Sequence, residues 1–445
     1  MTEVWFDELA EFLRIPSISA DPAHAGDVMR AAEWVRDFVR AAGGECDIVD
    51  WNGVDGGSAP LVIGEFRAST GADDAPTVLC YAHFDVQPPD PLELWDSPPF
   101  EPEIRDEYLY GRGAVDDKGH MYMLLCAARE LAAAGELPVN VRLCFDGEEE
   151  TGGHSIVEFL EADERGAVAG VVFDAGMIRR GVPAFTVATR GVLYFHVTLR
   201  TGERDLHSGI YGGAALNAAH ALMATLDSLV AHDGVLVDSL REGTATPTEE
   251  ELRGWRELPL GSAELADQGA RPKDAHAADD FYLRTFGEPA VDVNGIAVGS
   301  AFLQKTVLPV EAVANVSLRL APGQKVDEIA PEVERLLRAA APAGAELEIE
   351  LWGAAPPGLV SPDSSAIQLG LDAFERVIGR RPALIRSGGT LPIVPALSAK
   401  GIPTVITGFG LPDSQIHSPN ERLVAEYVPL GIAAARELFL AFAEL

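Results

Sequence analysis

Basic residues are scarce in this chain of 445 residues. Its 34 lysines and arginines face 69 aspartates and glutamates, for a formal net charge of −35. A nucleic-acid partner requires a basic face. No Lys/Arg cluster offers one, so nucleic acid is excluded as a partner. Cysteine is equally thin: Cys46, Cys80, Cys126 and Cys144 show no CxxC spacing. Cys80 and Cys144 lie in apolar, strand-like runs and read as core thiols of a reducing compartment, not as a disulfide frame. No apolar run approaches the ~20 residues a membrane span needs. The N-terminus has no basic start and no continuous apolar stretch, so we expect no signal peptide and a cytoplasmic protein without a membrane partner. Internal repeats and low-complexity tracts are missing too. The acid excess reads as a solvated surface.

What is present is an ample core, with 47% hydrophobic residues, and a length that fits two domains or one domain with an insertion. Short apolar runs with acidic ends alternate with helical patterns: "APTVLCYAHFD" (75–85), "MYMLLCAARELAAAG" (121–135), "PVNVRLCFDGEEE" (138–150) and "GVVFDAG" (170–176). That alternation predicts an α/β domain with a mostly parallel sheet. From residue 184 the pattern changes. A long alternating run, "AFTVATRGVLYFHVTLR", leads into a β-α-β-β-α-β order, with polar, weakly periodic sequence at 241–290. This predicts an inserted α+β, ferredoxin-like domain at 187–354. It divides the α/β domain into a first part, 1–186, and a second part, 355–445.

The strand ends carry the chemistry. One strand ends in His83 and Asp85, another runs into Glu148, Glu149 and Glu150, a third ends in Asp174, and Asp116 sits in "GRGAVDDKGH" before a helix. In an open α/β sheet the carboxyl ends of the strands share one rim, where ligands bind. Several carboxylates and a histidine gathered there would repel one another without a cation. A pair of metal ions removes that repulsion and acidifies water. "GRGAVD" also looks like the start of a dinucleotide fingerprint. Asp116 stands where the third glycine belongs, however, and an anion there would repel a pyrophosphate.

The segments "AHFDVQP", "GRGAVDDKG", "FDGEEETGG", "VVFDAG", "DLHSGIYGG", "KTVLP", "VSLRLAP", "RSGGTLP" and "IHSPNER" together resemble the M20 metallopeptidase family, especially its carnosinase-like dipeptidases. The resemblance implies a zinc-peptidase-like catalytic domain with an inserted lid and dimerisation domain. It also implies two divalent metal ions per chain, zinc first, with manganese or cobalt as alternatives. His83 and Asp174 would hold one ion, Glu150 and His417 the other, and Asp116 would bridge them, with a cis peptide bond to Asp117. Asp85 would orient the His83 imidazole. Glu149 would be the general base. Glu148 competes for that role, but the family's acidic pair directly precedes x-Gly, here Thr151-Gly152.

In the insertion, His207 of "DLHSG" would stabilise the oxyanion, reaching the site from the partner subunit of a homodimer. Thr306, Arg319, Arg386 and Thr390 match positions that grip the substrate's carboxylate, a task that suits arginine's planar fork. One departure stands out. Carnosinase-like members place an acidic residue after the arginine of R-x-G-G to meet a free amine, and here it is Ser387. The expected activity is hydrolysis of the amide bond of dipeptides or similar small peptides. The alternative is an N-acyl-amino-acid amidohydrolase or carbamoylase on the same fold.

Overall fold

The structure, a computed structural model, describes residues 4–52, 58–230 and 235–445. In chain order its main strands are β1 (Glu45–Asn52), β2 (Ser58–Phe66), β3 (Thr77–His83), β4 (Asn140–Asp146), β5 (Ala169–Val172), β6 (Ala184–Thr189), β7 (Gly191–Arg200), β8 (Ala290–Val298), β9 (Glu311–Leu320), β10 (Glu346–Ala355), β11 (Ala383–Ser387) and β12 (Thr404–Ile406). The helices used below are α1 (Val4–Leu13), α2 (Ala25–Ala41), α3 (Lys118–Ala134), α4 (His154–Ala162), α5 (Ala218–Asp227), α6 (Glu249–Trp255) and α7 (Val326–Ala340).

The larger sheet has the order β1-β2-β4-β3-β5-β12. β4, β3, β5 and β12 run parallel, while β1 and β2 add an antiparallel edge. β4 is buried along its whole length and β3 from its second residue on. Strands covered on both faces need near-continuous apolar sequence, which is why "VLCYA" and "VRLCF" do not alternate. α3 ends in Gly135, whose φ of 71° lets the helix stop in a left-handed turn. The four cysteines are free and buried, and burial pushes the Cys144 thiol up to about 11, so they behave as apolar filling. No helix among the described residues is long and apolar enough to cross a membrane.

The second sheet has the order β8-β9-β7-β10, antiparallel throughout. With α5 between β7 and β8, and α7 between β9 and β10, this is the ferredoxin-like arrangement. Its core is separate: Leu193, Phe195, Val197 and Leu199 of β7 meet Val316 and Leu318 of β9, Leu222 of α5, and Val333 and Leu337 of α7. The other face alternates to half-buried positions, and the edge strand β8 is exposed at Val293 and Ile296.

The run at 184–200 is not one strand. β6 pairs with β11, β7 pairs with β9, and Arg190 lies between them. The reason is a close crossing: a Cβ on Gly191 would lie 2.5 Å from the Ala355 carbonyl oxygen, so the outgoing and returning chains touch where only glycine fits. Immediately before the crossing, Thr189 is the antiparallel partner of Gly358.

Candidate active site

Four parallel strands end on one rim and deliver the acids. β3 ends at His83, β4 leads into Glu148–Glu150, β5 leads into Asp174, and His417 lies in the loop after β12 with φ 56°. Two groups of side chains there could hold a metal ion: His83, Asp116 and Asp174, and Asp116, Glu150 and His417. Asp116 belongs to both. His83 Nε2 lies 3.1 Å from Asp116 Oδ1 and 4.0 Å from Asp174 Oδ2. On the other side of Asp116, His417 Nε2 lies 2.9 Å from Oδ2 and 3.2 Å from Glu150 Oε2.

The donor set fits dications. Oε1 of Glu150 is buried with no hydrogen-bond partner, a position that leaves a charged group under-satisfied. Burial, with other carboxylates adding to it, pushes Glu149 up to about 8 and Asp174 up to about 7. Burial also opposes the His83 cation and the Asp116 anion, but hydrogen bonds outweigh it: those of His83 to Asp116 and Asp85, and those that Asp116 accepts from His417 and His83. His83 is drawn well above its ordinary value, and Asp116 is held below the usual carboxylate range. Hydrogen bonds to Asp116 and Glu150 raise His417 to about 10. The pocket thus takes up protons where positive charge belongs; bound cations would bring Glu149, Asp174, His83 and His417 back down and hold Asp116 low.

Asp85 holds this rim together. It is fully buried, with Oδ1 3.3 Å from His83 Nδ1. It accepts hydrogen bonds from the backbone N–H of Glu149 (3.2 Å) and Glu150 (3.1 Å). Ser19 Oγ donates to its Oδ2 at 2.6 Å, a contact that sequence reading missed because it spans 66 residues. Gln87, also missed, donates to Glu150 Oε2 at 2.8 Å. Glu149 Oε2 lies 4.0 Å from His83 Nε2. Glu148 faces elsewhere, accepting from the Ser155 N–H at the start of α4 (2.6 Å).

The second aspartate of the doublet is a support. The Asp116–Asp117 peptide bond is cis. Asp117 Oδ2 accepts from the His83 N–H (3.2 Å), and Oδ1 lies 3.2 Å from His120 Nδ1. Burial lowers His120 to about 4. As its Nε2 accepts from the Phe409 N–H, the neutral ring presents its proton to Asp117. Lys118 is fully buried and donates to the carbonyls of Ile15 (2.6 Å) and Phe12 (3.3 Å), closing the end of α1.

The inserted sheet supplies a different set. Arg319 Nη1 donates to Thr390 Oγ1 at 3.2 Å, and Thr390 Oγ1 donates to the Arg190 carbonyl at 2.7 Å. Arg386 does not join them. It is fully buried, paired with Glu251 of α6 at 2.6 Å and donating to the Ala245 carbonyl at 3.0 Å. Sequence reading set Arg386 among the carboxylate-gripping residues; in the structure its guanidinium pairs with Glu251 and ties α6 to β11. Arg190 stands nearer that task. It is half-buried beside Arg319, burial lowers it to about 10, and no carboxylate pairs with it among the described residues. His207 is exposed, its Nδ1 accepting from the Gly209 N–H (3.1 Å). It neighbours Thr306, whose carbonyl accepts from the Ser208 N–H and Oγ. Neither His207 nor Thr306 contacts the two metal-compatible groups among the described residues.

Residues 79–441 match the family model described as peptidase family M20/M25/M40. The chain is 29% identical, over 98% of its length and 95% of the relative's, to the cysteinylglycine-S-conjugate dipeptidase of Corynebacterium striatum. It is 28% identical to the human beta-Ala-His dipeptidase over 98% of this chain and 90% of that one. Among solved structures, an M20 family metallo-carboxypeptidase from Sulfolobus solfataricus superposes over all of both chains with a TM-score of 0.83 and 25% identity.

Proposed function

The chain belongs to peptidase family M20/M25/M40, and from that premise we propose that it hydrolyses the amide bond of dipeptides or similarly short peptides at a two-metal centre. The observation that carries this reading is Asp116, shared by two groups that each add one histidine and one further acid. His83 and Asp174 would hold one ion, Glu150 and His417 the other, with Asp116 between them. Zinc suits these nitrogen and oxygen ligands, and manganese or cobalt is the alternative. When bound, the ions would polarise the scissile carbonyl and acidify the attacking water.

The rest is the work of the chain's own side chains. Glu149 takes the proton of the attacking water and passes it to the leaving amine nitrogen. The place of Glu149 Oε2, 4.0 Å from His83 Nε2, together with the commitment of Glu148 to α4, supports that assignment. Asp85 fixes the His83 ring through Nδ1. Arg319 and Thr390, with Arg190 behind them, grip the substrate's terminal carboxylate. His207 and Thr306 come from the lid, and His207, with its Nε2 free, stabilises the oxyanion from the partner subunit of a homodimer. The exposed edge strand β8 suits such a pairing. The dipeptidase names of the relatives do not favour an N-acyl-amino-acid amidohydrolase or carbamoylase. Guanidiniums at the carboxylate end, and Ser387 where an acid would meet the amine, favour recognition of the carboxyl terminus over the amino terminus. The proposed setting is the cytoplasm.

A panel of dipeptides, N-terminally blocked dipeptides and N-acyl amino acids, assayed with Zn²⁺, Mn²⁺ and Co²⁺, tests this. Turnover of dipeptides is expected, and it should survive blocking of the amine better than amidation of the carboxylate. Turnover confined to N-acyl amino acids would overturn the reading.

A further inference from the structure

Beneath Asp116 lies a second carboxylate assembly, centred on a residue that is not a proposed ligand. Glu421, four residues beyond His417, is fully buried. Its Oε1 accepts from the N–H of Val115 (2.9 Å) and Asp116 (3.1 Å). Its Oε2 accepts from the N–H of Gly113 (2.9 Å) and from Arg112 Nη1 (2.6 Å). The Gly111 N–H donates to the Glu421 carbonyl (3.1 Å). One residue thus gathers five donors from the stretch 111–116. Gly113, at φ 84°, adopts the left-handed turn that bends this stretch around the carboxylate. Arg112 extends the clasp: it is buried, and its Nη2 points at the carbonyls of Pro88 (3.3 Å) and Ser418 (3.5 Å). Ser418 directly follows His417.

Asp116 and His417 are 301 positions apart in sequence, and no shared element joins them. The same carboxylate is hydrogen-bonded to the backbone of Asp116 and covalently attached to the loop of His417. The acids of the rim repel one another, so something must hold their loops together. A bound cation could do it, or the protein could.

We propose that Glu421 is the positioning residue that sets Asp116 against His417, so that the bridging geometry exists before any cation arrives. This rests on the two-metal reading above, and the experiment separates the two. In metal-stripped wild-type protein, the amide hydrogens of Gly113, Val115 and Asp116 should be as protected from exchange as in the zinc-loaded protein. Amides that exchange freely until zinc is added would overturn the proposal, because the metal would then be organising the loop.

A variant gives the second arm. Glu421→Gln keeps the shape but turns an NH2 group against backbone donors. It should bind zinc roughly 10- to 100-fold more weakly, the usual cost of losing a partner that orients a ligand. Competition with a chromophoric chelator reads this on protein with native circular dichroism. Glu251→Gln is the comparator: it breaks a second buried acid–arginine pair, touches no proposed ligand, and should keep wild-type zinc affinity whatever its thermal stability. Wild-type affinity in Glu421→Gln, or equal weakening in both variants, would overturn the proposal. If Glu421→Gln does not fold, the exchange experiment decides alone. A wild type that binds no second metal would instead overturn the two-metal reading.

Discussion

His83 and Asp85 at the end of β3 and Asp116 in the turn before α3 are buried and held by further residues, whereas His207 and Thr306 are exposed and held mainly by backbone. In the first region the groups point at one another. In the second region the side chains face solvent, and the contacts that hold them are local. Preorganised dipoles and charges stabilise a transition state without reorganising. The contrast predicts that lesions in the rim abolish chemistry, whereas lesions in the insertion divide between turnover and binding.

Metal removal is the largest expected effect. Chelation should abolish activity, and added Zn²⁺ should restore it with about two ions per chain by elemental analysis. Activity in metal-free protein would end the comparison outright. Next comes Glu149→Gln, expected to lower kcat by roughly 10²- to 10⁴-fold with both metals retained, because an amide cannot carry the proton. His207→Ala should lower kcat by roughly 10²- to 10³-fold, again with metals retained. Mixing it with Glu149→Gln under subunit exchange should restore activity, since one site of the mixed dimer then carries neither lesion. No recovery despite proven exchange would place His207 in its own chain's site.

A smaller effect separates two arginines. Arg319→Met should lower kcat/KM by roughly 10- to 100-fold, the range of a lost charged hydrogen bond, mostly through KM. Arg386→Met should leave KM near wild type while lowering the melting temperature, because it strands Glu251 in the interior. The smallest effect is expected at Glu148. Glu148→Gln should keep kcat within a few-fold and cost about 1 kcal/mol of stability at most, as its carboxylate meets the first turn of α4. Loss of turnover there, with Glu149→Gln active, would shift the base by one position.

The rim was legible because its residues sit at strand ends and inside short motifs, where local sequence carries the geometry. The βαββαβ order of the insertion was legible for the same reason. The pairing of Arg386 with Glu251 was not legible, because the partner lies 135 positions away and nothing near "RSGG" signals it. Ser19, Gln87 and Glu421 were missed likewise: each acts through a contact with a distant loop. Arg190 had a local trace, since "TRGV" sets an arginine and a glycine in the middle of a strand pattern, where glycine marks a close backbone approach. Reading that run as a single strand hid it.

The crossing at Gly191 bears on how such a molecule can change over evolutionary time. Thr189 and Gly358 are hydrogen-bonded neighbours, with α-carbons about 5 Å apart. Everything from Arg190 to Pro357 therefore leaves and re-enters through one doorway. A hairpin turn of a few residues could close that doorway without moving a strand of the larger sheet. The ferredoxin-like sheet could in this way vary in size while the metal-holding rim keeps its register, provided that α6 stays in place to pair Glu251 with Arg386.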